Sequence, residues 1–130
     1  MTIILLVITF PCTAGQFNVE PLSPQQFDYV TETLEGAIGS QVVMSAAIHT
    51  QLHGMEAYYI GASFTLSGMR EPIHGVWLIT GKKEAPEKIY SVNSFAFLFS
   101  GVKMARKMNI PASEEDEESR VLYDLLVANE

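Results

Sequence analysis

His49 and His53 stand four residues apart, and on a helix that spacing would put two imidazoles on one face to share a metal ion. The zinc-protease form of the motif also needs a glutamate directly after the first histidine, and here Thr50 and Gln51 follow His49. The flanking residues decide which backbone carries the pair. Val42, Met44, Ala46, Ile48, Thr50 and Leu52 alternate with Val43, Ser45, Ala47, His49, Gln51 and His53, a period of two that predicts a strand. Four residues of strand span roughly 13 Å, too far for two ligands of one ion bound at about 2 Å each. Neither a metal site nor a cofactor is expected.

Nucleophilic chemistry finds no frame either. Ser45 and Ser63 would need a base and an orienting acid to converge on them, and the chain contains no Gly-x-Ser-x-Gly elbow. Carboxylates cluster only at Glu114, Glu115, Asp116, Glu117 and Glu118, where they read as the solvated start of a helix. Gly36, Gly39, Gly54, Gly61 and Gly68 are scattered and make no phosphate loop. No catalytic residue is assigned.

The better place for a site is a polar row on a hairpin. After the first alternating run, Tyr58, Ile60, Ala62, Phe64 and Leu66 alternate with Ala57, Tyr59, Gly61, Ser63 and Thr65, and two such runs in succession predict an antiparallel pair. Bringing both apolar rows to one buried face requires a loop of odd length around Gly54, with paired residue numbers summing to an even value. Ile48 is then expected beside Ile60, Met44 near Phe64, and His49 close to Tyr59 on the opposite face. On this reading His49, Gln51, Tyr59, Ser63 and Thr65 form a candidate ligand-binding face of aromatic and hydrogen-bonding groups. The competing reading of the same row is an ordinary solvent face.

The elements around the hairpin are explicit in places. Ser23, Pro24 and Gln26 form a capping-box start, and Phe27, Val30, Leu34 and Ile38 recur at helical spacing up to Gly39. A third strand is predicted over 73–80; its run of Val76, Trp77, Leu78 and Ile79 calls for cover on both sides of the sheet. A short fourth strand spans 88–92, and Asn93 or Ser94 then caps a helix through Phe95, Leu98, Phe99, Val102 and Ala105. Lys103, Arg106 and Lys107 suit the negative end of that helix. Val121, Leu122, Leu125 and Leu126 give a last helix its docking stripe. Trp77, Phe97 and the methionines are expected in the core.

Together these elements predict an α+β domain over 16–130: an N-terminal helix packed on a four-stranded antiparallel meander, followed by one or two C-terminal helices. At the level of fold alone it resembles cystatin-like and other helix-wrapping rolls, a likeness that carries no function.

Charge narrows the function classes. The chain of 130 residues has a formal net charge of −7, which disfavours nucleic acid as a partner. Residues 1–69 hold no Lys or Arg, 70–107 are locally basic, and the remainder is acidic. Met1 to Phe10 are almost wholly apolar, and Pro11 and the small residues through Gly15 follow. That is the layout of a signal peptide over 1–15, too short for a transmembrane helix. Its alternative is a buried first strand. Cys12, the only cysteine, rules out an intramolecular disulfide. The sequence therefore leads to an exported small domain that binds a small molecule or a protein, without a transmembrane span in its mature form. The alternative is a small enzyme with His49 as acid or base.

Overall fold

Ser23 opens the first helix as its capping box requires. Its hydroxyl accepts from the Gln26 amide at 3.1 Å, the Gln26 side chain accepts from the Ser23 amide at 3.0 Å, and Pro24 takes the first helical position. The computed structural model describes residues 17–34 and 39–129. The expected signal segment with Cys12, and the expected helix end at Ile38, lie outside the described residues.

In chain order the elements are β1 (Val19–Glu20), α1 (Pro24–Thr33), β2 (Gln41–Leu52), β3 (Met55–Thr65), β4 (Ile73–Lys82), β5 (Ala85–Ser91), α2 (Ser94–Ser100), a 3₁₀ turn (Ala105–Met108) and α3 (Glu117–Ala128). The strands form one antiparallel sheet in the order β1-β2-β3-β4-β5. The α+β meander is as expected, with five strands in place of four. The extra strand comes from the extended lead-in before α1, where Val19 and Glu20 pair with Ile48 and Ala47 along the free edge of β2.

Helices cover both faces of this sheet. On the first face, Val30 of α1, its C-cap Leu34 and Ala96 of α2 join Ala47, Tyr58, Ile60, Phe64, Trp77 and Ile79 in one core. On the second face, Leu122 and Leu125 of α3 join Ala46, Ile48, Tyr59, Val76 and Leu78 in another. The sheet is thus the middle of three layers, which departs from the one-sided helix wrap of the expected roll. It also explains why β3 and β4 are buried along nearly their whole length.

The two-sided core overturns the predicted hairpin register. Leu52 pairs with Met55 across a two-residue turn, His53-Gly54, in which both residues have positive φ, +53° and +78°. This is the left-handed geometry that two-residue hairpins favour. The register sets Ile48 opposite Tyr59, His49 opposite Tyr58 and Ala47 opposite Ile60. The apolar rows of β2 and β3 therefore lie on opposite faces. Since each face has its own helical cover, the condition that forced them together does not apply. A bulge at Val43 then shifts the register by one, so that Met44 meets Ser63 while Val42 meets Phe64 on the first face.

The other departures are local. α2 ends at Gly101 in the left-handed conformation (φ +74°), four residues before the expected end, so Lys103 falls beyond it and Arg106 and Lys107 on the 3₁₀ turn. Phe97 is exposed, as are Met69 and Met108, whereas Trp77 is fully buried. Gly61 sets the spacing of the second face: a Cβ there would stand 3.2 Å from Leu122 and Leu126, so its absence lets α3 lie close on β3.

Candidate functional site

The register that separates the predicted polar row builds a different cluster at the β1 edge. Glu20 opposite Ala47, His49 opposite Tyr58 and Gln51 opposite Glu56 all project on the first face. α1 packs its buried residues farther along the same face. The space left open is a cleft of about 500 Å³ lined by Phe17, Asn18, Glu20, His49, Glu56 and Tyr58.

Contacts within the cleft are direct. His49 Nε2 lies 3.3 Å from Glu56 Oε2, an ion pair whenever the imidazole is protonated. The His49 and Tyr58 rings stand 4.9 Å apart, tilted by 60°. The Tyr58 hydroxyl donates to Glu56 Oε2 at 3.4 Å. Lys83 reaches Glu20 at 3.4 Å, an exposed pair that contributes little to stability. Burial first, and then the charges of Glu20, Glu56 and Glu84, hold the Tyr58 phenol above its usual pKa. The phenol therefore remains a hydrogen-bond donor throughout the physiological range.

The five residues predicted as one face are divided by the sheet. His49 belongs to the cleft, and Gln51 lies on its face near the turn. Tyr59 and Ser63 project on the second face, under α3. Thr65 pairs with Gln41 at the far end of the hairpin. The pairing of His49 with Tyr59 is replaced by His49 with Tyr58, because one step of register exchanges every partner's face. Glu56 and Tyr58 were missed for the same reason, and Glu20 because the lead-in before α1 carries no strand pattern of its own. Reading His53-Gly54 as a two-residue turn would have set Glu56 beside Gln51 and Tyr58 beside His49.

No family model matches the chain, and no match was found among curated proteins or solved structures.

The residues on the second face have structural partners. Tyr59 donates its hydroxyl to Asp116 Oδ2 at 2.6 Å, and the same oxygen accepts from the Ser113 amide at 3.0 Å. This ties the segment ahead of α3 to the centre of the sheet. Ser63 Oγ and His74 Nδ1 lie 2.7 Å apart in the interior, with the His74 ring edge-on to Tyr123 at 5.8 Å. Both residues are buried. Among the described residues, no three His, Cys, Asp or Glu side chains converge as metal ligands.

Burial, then the hydrogen bond to Asp116, raise the Tyr59 pKa far above its ordinary value. A folded-state pKa above the unfolded value of about 10 gives stability that is complete below pH 10 and declines as pH rises beyond it. Tyr59→Phe is expected to cost about 1.5 kcal/mol at pH 7, the low end for a bond to a charged acceptor, since Asp116 keeps its Ser113 donors. The gap to wild type should narrow between pH 10 and 11.5 in urea titrations. A gap that stays constant over that interval would show that the buried phenol is not the titrating group.

Proposed function

We propose that the protein is an exported small-ligand-binding domain whose site is the Glu20–His49–Glu56–Tyr58 cleft, and that its ligand is a small organic cation. The observation that carries this reading is the convergence of two carboxylates, a phenol and an imidazole on one open cleft. Carboxylates attract an ammonium group, and aromatic faces favour a cation within about 6 Å. The charges of Glu20 and Glu56, which act after burial in raising the phenol pKa, favour the same sign of ligand. A chain of net charge −7 draws cations by its overall field as well. Export rests on residues 1–15 alone, and the starting residue of the mature protein recovered outside the cytoplasm checks it.

Phenethylamine serves as the probe. Calorimetric titration should show saturable binding that Glu56→Gln weakens about fivefold to tenfold and added salt weakens further. Thr65→Ala, at the far end of the hairpin, should leave it unchanged. Equal affinity of wild type and Glu56→Gln would refute the site.

The close His49–Glu56 pair favours a second reading, general acid–base catalysis by His49 with Glu56 orienting the ring. Hydrolysis of an ester that carries an ammonium group, lost in His49→Ala, would put that reading first. Binding without turnover keeps the order given.

A further inference from the structure

A second surface lies away from the cleft, between the start of α2 and α3. Residues 89–102 carry no charge, and the short helix within them buries Ala96 and packs Phe99 against Phe64. Its other side faces outward. Phe95, Phe97 and Leu98 are 44%, 47% and 68% exposed, and they supply three of the eight large apolar side chains exposed among the described residues. Scattered single residues of this kind need no explanation, but three within four positions do.

Of the three, Phe95 also walls a cavity of about 370 Å³, together with Tyr123 and Val76. Its charged lining is Glu114, Glu115 and Asp124 against the single cation Arg120. Asn93, at the back, is already engaged: its Oδ1 accepts from the Val76 and Ala96 amides, and its Nδ2 donates to the His74 carbonyl. Recognition therefore falls to the apolar walls and the acidic rim.

We infer that this surface docks a segment of another protein in which an apolar side chain fills the cavity and flanking Lys or Arg residues meet Glu114, Glu115 and Asp124. Charge complementarity selects this occupant. The net-negative rim repels an anionic membrane, and a concave cavity holds one side chain better than a flat lipid surface does. An apolar anchor inside a charged rim is also the usual anatomy of a protein interface. The surface shares no residue with the amine cleft, so the two proposals stand or fall separately.

The test uses a fluorescein-labelled decapeptide with two leucines between pairs of arginines, and a control with glutamates replacing the arginines. Fluorescence anisotropy should show binding of the arginine peptide only. Leu98→Ser with Phe95→Ser should weaken it about tenfold, and so should Glu114→Gln with Glu115→Gln and Asp124→Asn. The second set should also flatten the salt dependence. Every changed residue is solvent-exposed, and circular dichroism confirms that each variant is folded. Glu56→Gln should leave the peptide affinity unchanged. Equal binding of both peptides, or affinity unmoved by either set of substitutions, overturns the proposal. Self-association that the same substitutions abolish would assign the surface to a second copy of the chain, and capture by phosphatidylglycerol vesicles without peptide binding would assign it to a membrane; either result overturns the proposal too.

Discussion

Trp77→Ala is expected to lower the unfolding free energy by about 3–5 kcal/mol, the range for truncating a fully buried large aromatic side chain. Trp77 lies near the middle of β4, on the first face, and none of its surface reaches solvent. Its ring stands 6.3 Å from that of Phe64, and its Nε1 donates to Ser100 Oγ at 3.3 Å. The substitution therefore removes the largest side chain of this core together with a bond that holds the last turn of α2. Domains of this size are stable by only about 5–15 kcal/mol, so the variant should be marginally folded. Urea unfolding followed by circular dichroism measures the loss. A loss below about 1.5 kcal/mol would mean that the ring is not packed as described.

Gly75→Ala is expected to cost about 1–3 kcal/mol, although alanine is ordinarily the better residue within a strand. The reason is the same tryptophan. Gly75 and Trp77 share a face, and a Cβ at Gly75 would stand 2.5 Å from Cη2 and 2.8 Å from Cζ3 of the ring. A buried indole has no free side toward which to yield. The coupling gives the sharper test. In a Trp77→Leu background the added methyl has room, so the same change should cost at least about 1 kcal/mol less than in wild type. Additive effects in the double-mutant cycle would contradict the close approach.

The sequence carried this fold unevenly, and the physical reasons differ by element. The start of α1 was legible because its capping box is a local arrangement, complete within four residues. β4 was legible as a strand covered on both sides because Val76 to Ile79 leave no polar face. The same inference was not extended to β2 and β3, where alternation with Ser45, His49, Tyr59 and Ser63 imitates a half-exposed pair. Tyr59 and Ser63 are buried polar residues with partners on distant segments, Asp116 and His74, which spacing does not reveal. The turn was missed because an odd-length loop was required to bring both apolar rows to one face, a condition that a sheet covered on both faces removes. That one-residue error exchanged Tyr58 for Tyr59 and removed Glu56 from view. α2 was expected to run through Ala105, but Gly101 closes it, and the short remaining helix leaves Phe97 and Leu98 outside the core.

The amine-binding reading is tested most directly by holding the ligand skeleton nearly constant and changing only its charge. Phenethylamine, 3-phenylpropanol and 3-phenylpropionate, titrated into the protein and followed by amide chemical shifts in two-dimensional NMR, make that comparison at one ionic strength. Affinity is expected in the order cation, neutral, anion, with the largest shifts at Asn18, Glu20, His49, Glu56 and Tyr58. Equal affinity for the cation and the anion, or shifts concentrated away from these residues, would contradict it.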